Sequence, residues 1–250
     1  MLKNQRQQEI IHLLKQNDGF VSVKVLCDRL YASESSIRRD LTAMEKKGII
    51  SKTYGGAELI KNFANVIDFS KRFRQNTEEK KAIAKKAKTL IKDGSVIFLD
   101  QSSTSYYLAG ELMNNATLTV ITNNIEILSL LSDSAMTVIA SGGILSRNNR
   151  NCLLGIDAQH IFENTNADAV FFSTKSLSDD GIISDCVREE VLIRNSMLKH
   201  ASKKVFLCDS GKFGTQSPYT QTTLQDIDIL VSEQETAGQY ASLFPNLTIL

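Results

Sequence analysis

From residue 96 onward the chain repeats one pattern: a short unbroken apolar run, a polar turn, then a helical period. The runs are Val96-Ile97-Phe98-Leu99, Leu118-Thr119-Val120-Ile121, Thr137-Val138-Ile139-Ala140, Ala169-Val170-Phe171-Phe172, Val205-Phe206-Leu207-Cys208 and Ile227 to Val231. Helical periods are predicted over residues 80–91, 104–112, 124–132 and 187–200. A strand that is apolar at successive positions is buried on both faces. The pattern therefore predicts an α/β domain whose sheet is mostly parallel and covered by helices on either side.

The front of the chain reads differently. Residues 6–14 place Ile10, Leu13 and Leu14 on one helical face, and Asp18-Gly19 is expected to end that helix. Ser22 is expected to cap a second helix with Val25, Leu26 and Leu30 inward, and Ser33 a third over residues 34–47 with Ile37, Leu41 and Met44 inward. Gly48 is expected to close the third helix. Two short strands around Gly55-Gly56 then predict a β-hairpin. Three helices followed by a hairpin make a small winged helix-turn-helix. The expected organisation is a winged helix over residues 1–60, a linker over 61–79 and the α/β domain over 80–250.

The formal net charge of +1 conceals an asymmetry. Residues 1–88 hold 19 Lys/Arg against 10 Asp/Glu, whereas residues 89–250 hold 10 against 18. A basic front on an acidic body suggests that the front meets a polyanion, although a solvated basic helix has the same composition. With 42% hydrophobic and 23% charged residues, the chain is neither disordered, collagen-like nor a disulfide-stapled mini-protein. No run of eighteen apolar residues exists, so no membrane span is expected. The N-terminus turns polar at once, and Cys27, Cys152, Cys186 and Cys208 lack metal-ligand spacing. Reduced thiols, a cytoplasmic location, no metal and no cofactor are the expectation.

The third helix, second of a helix-turn-helix pair, is the one that enters the major groove of double-stranded DNA. Its start, Ser33, Ser35, Ser36, Arg38 and Arg39, offers small hydroxyls for close approach and guanidinium groups for guanine or phosphate. Lys52 and Tyr54 would assist from the hairpin. Asp40 is expected to pair with a basic residue one turn away. Each residue alone also fits a plain amphipathic helix; the ordered set argues for an operator-binding surface.

In the α/β domain, candidate ligand groups recur at strand ends, where open sheets of this kind bind. Asp100-Gln101-Ser102-Ser103-Thr104-Ser105 follows a strand and opens a helix, and free N–H groups and hydroxyls there suit an anion. Thr122 and Asn123 occupy a second strand end, Gly142 and Gly143 a third, and Lys212 lies in a loop after a fourth. The same residues also suit a plain helix cap, a tight turn and a solvated lysine.

The run S-E-S-S-I-R-R-D-L-T-A-M-E-K-K-G, followed by Lys52-Thr53-Tyr54-Gly55-Gly56-Ala57, resembles the winged helix of the DeoR family of bacterial transcriptional regulators. The similarity continues through Glu79 to Ala84, Leu90 to Gly94, Ile97 to Asp100, Val120 to Asn123, Ser141 to Gly143 and Asp209 to Gly214. The resemblance implies a sensor domain with a sugar-isomerase-like fold that binds a phosphorylated sugar or sugar alcohol and thereby alters DNA affinity. It implies a repressor of a carbohydrate operon. Two-fold operator reading further implies a homo-oligomer, dimer or tetramer. The chain departs from the family pattern near the expected ligand. Gln101-Ser102-Ser103-Thr104 stands where a glycine followed by two hydroxyl residues is usual. Ser173-Thr174-Lys175-Ser176 replaces an acidic glycine-rich stretch, and Gly211 replaces a serine. Lys175 thus becomes a second candidate countercharge.

Two rival readings remain at this level. One is an aldose–ketose isomerase using a carboxylate from Asp100, Asp179, Asp180 or Glu189 as base. The other is an oligomerisation module without ligand.

Overall fold

The computed structural model describes residues 3–17, 19–46, 50–59, 69–147 and 149–250. The chain divides into two compact units, Met1–Val66 and Ile67–Leu250. The expected helix-ending residues Asp18 and Gly48, and residues 61–68 of the expected linker, lie outside the described residues.

The first unit contains α1 (Lys3–Gln16), β1 (Phe20–Ser22), α2 (Val23–Leu30), α3 (Glu34–Lys46), β2 (Ile50–Thr53) and β3 (Gly56–Leu59). Ser22 accepts the Val25 N–H at 3.3 Å and starts α2, a cap that stabilises a helix by about 1 kcal/mol. Ile10, Leu14, Val23, Leu26, Ile37, Leu41 and Met44 form its core with Ile50 and Ala57. Val25, expected inward, is exposed; Val23 takes the inward position instead. The hairpin pairs Ile50 with Leu59 and Thr53 with Gly56. β1 adds a third strand, because Phe20 to Ser22 pair with Glu58 to Gly56. A Cβ on Gly56 would stand 2.7 Å from both the Phe20 ring and the Val21 carbonyl, so this close approach requires glycine.

The second unit opens with α4 (Phe69–Arg74) and α5 (Thr77–Lys88), so the latter part of the expected linker is helical. There follow β4 (Val96–Leu99), α6 (Ser103–Leu112), β5 (Thr119–Thr122), α7 (Ile125–Leu131), β6 (Thr137–Ala140), β7 (Ile144–Leu145), β8 (Leu153–Leu154), α8 (Ile156–Glu163) and β9 (Ala167–Phe172). The chain continues with β10 (Ser176–Leu177), β11 (Ile182–Asp185), α9 (Arg188–Lys199), β12 (Ala201–Leu207), β13 (Tyr219–Thr223), β14 (Ile229–Val231) and β15 (Thr248–Ile249).

Seven strands form one parallel sheet in the order β15-β14-β12-β9-β4-β5-β6. Successive residues serve opposite faces. Ile97, Leu99, Val120, Phe171, Val205 and Leu207 pack with Ile83, Leu108, Leu112, Ile127 and Leu131 from α5, α6 and α7. Phe98, Ile121, Val170, Phe172 and Phe206 pack with Ala158, Phe162, Ile193 and Met197 from α8 and α9. This two-sided burial is why the strands read as unbroken apolar runs. Three short antiparallel strands, in the order β10-β11-β13, form a second sheet.

The order also fixes where a ligand site belongs. From β4 the chain winds outward through β5 and β6; from β9 it winds the other way through β12, β14 and β15. The β4/β9 boundary is the topological switch point, and Asp100 and Ser173 follow immediately on its two strands.

Candidate functional site

In the first unit, α3 presents its start to solvent. The Ser33 carbonyl accepts N–H groups from Ser36 and Ile37 at 3.0 Å, and its hydroxyl lies 2.9 Å from Ser36 Oγ. Ser33, Ser35, Arg38 and Arg39 are exposed and Ser36 is half-buried. Arg38 pairs with Glu34 at 2.7 Å, one turn back, and Arg39 Nε donates to the Ser35 carbonyl at 3.2 Å. Both pairings are exposed, so exchanging them for phosphate or base contacts costs little. Lys52 pairs with Glu45 at 3.0 Å, which ties the hairpin to α3. Tyr54 at the hairpin turn is fully exposed, and so is Tyr31 between α2 and α3, which sequence reasoning did not single out. Tyr31 adopts a left-handed φ of 49° as the α2 C-cap, a position that turns the chain sharply.

Asp40 is not a local partner of the α3 arginines as expected. It is buried and pairs with Arg6 of α1 at 2.5 Å, while Gln7 Nε2 donates to it at 3.4 Å. Asp40 therefore fastens α1 to α3 and leaves the outward face basic.

In the second unit, Asp100 is wholly buried at the switch point. Its carboxylate accepts the Ser102 N–H at 3.1 Å, the Ser105 hydroxyl at 2.7 Å, the Ser173 N–H at 3.2 Å and Arg194 Nη1 at 3.4 Å. Its acceptor capacity is spent on holding two loops and a helix. Ser102 likewise caps α6, accepting the Ser105 N–H at 3.1 Å. Of the expected ligand groups here, the buried Thr104 hydroxyl oxygen has no hydrogen-bond partner among the described residues, and Ser103 is buried beside it at the helix start. At the next strand end, the Thr122 hydroxyl accepts the Asn124 N–H at 3.1 Å, whereas buried Asn123 Oδ1 has no partner among the described residues.

Gly142 and Gly143 are exposed and adopt φ of 73° and 97°. The close approach at Gly143 is to the Leu154 carbonyl and Ala158, where a Cβ would stand 2.5 and 2.8 Å away. This glycine serves the packing of β8 and α8. Lys175 is exposed, and its charge is felt at Cys186, just after β11.

Lys212 is held close to the switch point. Its ammonium pairs with Asp209 at 3.0 Å and donates to Ser173 Oγ at 2.5 Å. Burial opposes the Lys212 charge, but the Asp209 carboxylate outweighs it and raises the lysine above its ordinary value. Burial likewise opposes the Asp209 charge, yet Lys212 and the hydrogen bonds from Asn76 and Lys212 bring that carboxyl down to about 2. Asn76 Nδ2 reaches Asp209 Oδ1 at 2.7 Å. A Cβ at Gly211 would come within 2.9 Å of that Nδ2 and 3.2 Å of Oδ1, so glycine at this position makes room for the bond.

Sequence reasoning missed a second buried lysine. Lys80 on α5 donates to the carbonyls of Arg72 and, at 2.6 Å, Gln75. Burial, and then the nearby Lys212 charge, push it down to about 8. In the sequence it is only the first residue of the helix predicted over 80–91 and part of the family-similar run Glu79 to Ala84. Arg72 lies on α4, which Phe69, Phe73, Tyr106 and Tyr107 pin to α6 through ring contacts. Tyr107 also donates to the Phe73 carbonyl at 3.0 Å. The Asp209 carboxylate acts on both lysines, raising each against the burial that opposes its charge.

Arg194 on α9 was missed as well. Fully buried, it donates to Asp100, to Gln221 Oε1 at 2.9 Å, to the Ser173 carbonyl at 3.0 Å and to Asp185. Burial raises Asp185 above the ordinary carboxylate range, only partly offset by Arg194. The carboxylates open to an isomerase base are poorly placed for one: Asp179, Asp180 and Glu189 are exposed, and Asp100 is committed to its four donors. Among the described residues no helix is long and apolar enough to cross a membrane, no group of His, Cys, Asp and Glu has metal-holding geometry, and the four cysteines are free.

The comparisons agree with both units. The family description "DeoR-like helix-turn-helix domain" matches residues 6–63, and "DeoR C terminal sensor domain" matches residues 75–234. The HTH-type transcriptional regulator GolR of Listeria innocua is 39% identical, covering 94% of this chain and 92% of the relative. The HTH-type transcriptional repressor GlcR of Bacillus subtilis is 30% identical over 94% of this chain and 90% of the relative. The lactose phosphotransferase system repressor of Lactococcus lactis is 30% identical over 100% and 98%. With an exposed basic recognition helix on one unit, a buried polar switch point in the other, and both family descriptions in register with them, the chain belongs to the DeoR family of DNA-binding transcriptional regulators.

Proposed function

We propose that this regulator represses a carbohydrate operon and that a phosphorylated sugar or sugar alcohol, bound at the β4/β9 switch point, releases it from its operator. The observation that carries the effector half is a lysine pair gathered through one short stretch: buried Lys80 donates to the Gln75 carbonyl at 2.6 Å, the next residue Asn76 donates to Asp209 at 2.7 Å, and Asp209 pairs with Lys212 at 3.0 Å beyond the carboxyl end of β12. A bound phosphate adds a second negative partner to the Asp209 carboxylate that these two ammonium groups already share. The relatives named as repressors of a sugar phosphotransferase system and of a glycerol-3-phosphate regulon support the same class of effector. For the operator half, Ser33, Ser35, Ser36, Arg38 and Arg39 read the major groove, with Lys52 and Tyr54 on the flanking backbone. Repeated half-sites call for a homo-oligomer.

The test is operator binding by the full chain at two salt concentrations, using the DNA upstream of its own gene, with and without a panel of sugar phosphates. Specific binding weakened roughly 5- to 150-fold by one panel member is expected, the usual size of an allosteric coupling. No preference over random DNA overturns the operator reading. Specific binding that no panel member alters overturns the effector reading.

A further inference from the structure

Three amide side chains near the switch point have their orientation fixed by what their nitrogens touch. Gln101 Nε2 donates to Glu190 Oε2 at 3.0 Å, and Asn149 Nδ2 donates to Glu190 Oε1 at 3.0 Å. An ionised carboxylate only accepts, so both amide nitrogens must face Glu190 and both amide oxygens must face away. Asn123 Nδ2 donates to the Leu153 carbonyl at 3.1 Å, which fixes its oxygen by the same logic. Gln101 and Asn123 are 0% exposed and Asn149 is 4% exposed. Yet Gln101 Oε1, Asn123 Oδ1 and Asn149 Oδ1 have no hydrogen-bond partner among the described residues. Asn123 and Asn149 belong to one locality: the Asn123 carbonyl accepts the Leu153 N–H at 2.8 Å, four residues beyond Asn149, and Asn124 bridges Cys152.

Buried carbonyl oxygens left without donors are costly, so native interiors rarely keep them. These three oxygens lack donors, whereas Asn124 Nδ2 and Asn151 Nδ2 in the same stretch lack acceptors among the described residues, so the locality calls for groups that both donate and accept. A metal cation does not fit it. The intervening Glu190 already accepts both amides, and the buried guanidinium of Arg194 and the charge of Arg72 act on the same cluster. Among the described residues no group of three or more His, Cys, Asp or Glu could hold a metal ion. Neutral hydroxyls, which donate and accept, meet that demand.

We propose that Gln101, Asn123 and Asn149 form a hydroxyl-reading subsite for the polyol end of the ligand, with Glu190 as the positioning residue that turns two of the three oxygens inward. The proposal rests on the reading of this domain as a sugar-phosphate sensor and deepens it. The lysines take the charged end, and the amide oxygens take the hydroxylated end. Selectivity among phosphorylated compounds then lies in the number and placement of hydroxyls.

The experiment is calorimetry of the full chain with ribose 5-phosphate, glucose 6-phosphate and glucitol 6-phosphate, their single-deoxy analogues, and propyl phosphate as a hydroxyl-free control. For a sugar phosphate that binds, at least one single-deoxy analogue is expected to bind more than about tenfold weaker, because a site built on hydroxyl donors strongly rejects a ligand lacking one. Gln101→Met or Asn149→Ala is expected to abolish that discrimination. If every deoxy analogue binds as well as its parent, the amide oxygens are served by internal water and the subsite is overturned, while the effector reading stands. That comparison uses the unaltered protein, so it decides even if a variant fails to fold. If no phosphorylated compound binds, ribose, glucose and glucitol are titrated alone. Binding of one supports the subsite without the phosphate reading, and binding of none overturns both.

Discussion

Arg194 and Asp100 meet at 3.4 Å inside the second unit, with side chains 1% and 0% exposed. They are 94 residues apart in the chain, one on the last helix before β12 and the other at the end of β4. Arg194 also reaches Asp185 and the Ser173 carbonyl, so one guanidinium joins α9, β11 and both strands of the switch point. The carboxylates around it are tolerable in the interior only because that charge is present.

Replacing Arg194 with methionine keeps much of the apolar packing and leaves Asp100 and Asp185 uncompensated. Breaking a buried pair on one side costs about 3–5 kcal/mol. Urea unfolding of the sensor transition is expected to show a decrease of that size, with operator binding by the winged helix unaffected at temperatures where the variant stays folded. A decrease below about 1 kcal/mol would contradict the assigned role.

Asp209 gives a stability with a defined pH window. Its folded pKa of about 2 lies below the ordinary value of 3.8. A lowered carboxyl pKa contributes stability that is fully present above 3.8 and is lost as pH falls through about 2, worth about 2 kcal/mol here. Asp209→Asn is expected to flatten the stability curve between about pH 5 and pH 2 relative to the parent, as read by denaturant midpoints at each pH.

Lys80 works in the opposite range. Its folded pKa of about 8 lies below the ordinary 10.5, so the unfolded chain binds more protons between those values. Stability from this group therefore rises as pH climbs from about 8 to 10.5, and Lys80→Met removes that slope. A bound phosphate has the reverse sign, because it favours the protonated lysine. Affinity for a sugar phosphate that binds is expected to fall as pH passes about 8, with proton uptake on binding. Calorimetry in two buffers of different ionisation enthalpy measures that uptake, and Lys80→Met should not show it.

Arg38 and Arg39 separate by their neighbours. Removing one phosphate interaction reduces the slope of log affinity against log salt by roughly 0.9. Removing one base interaction costs about 1–3 kcal/mol and relaxes specificity at one position. Arg39→Ala and Arg38→Ala are each expected to show one of these two signatures in operator titrations at several salt concentrations. Glu34→Gln, which frees Arg38 from its exposed partner, is expected to leave affinity unchanged or raise it.

Two-fold operator reading predicts a symmetric oligomer through the second unit. Light scattering of the full chain at micromolar concentration is expected to give at least a dimer. A monomer both with and without operator DNA would rule out this mode of reading.

What the sequence determined by itself was everything that depends on local period. Unbroken apolar runs such as Val96 to Leu99 and Ala169 to Phe172 specify strands buried on both faces, and the S-x-S-S-I-R-R-D-L run after a short capped helix specifies a recognition helix, because both signals repeat within a few residues. Strand order, and hence the switch point, follows from how those faces pack. The eight-residue helix Ile156–Glu163 carries no start signal, because Gly155 enters it at a φ of 96° without a side-chain cap, whereas the comparably short α2 and α7 begin at the capping side chains of Ser22 and Asn124. The roles inside the candidate site were decided only by tertiary structure. Asp100 and Ser102 are candidate ligand groups in the sequence, and the structure adds that Asp100 accepts from Arg194 and Ser102 from Ser105. Arg194, Asn149 and Glu190 look ordinary in the sequence, and Gln101 is only a departure from the family pattern, until folding brings residues 41 to 94 positions apart within hydrogen-bond reach. A hydrogen bond forms between neighbours in space, and local period holds no record of which distant partner will complete it.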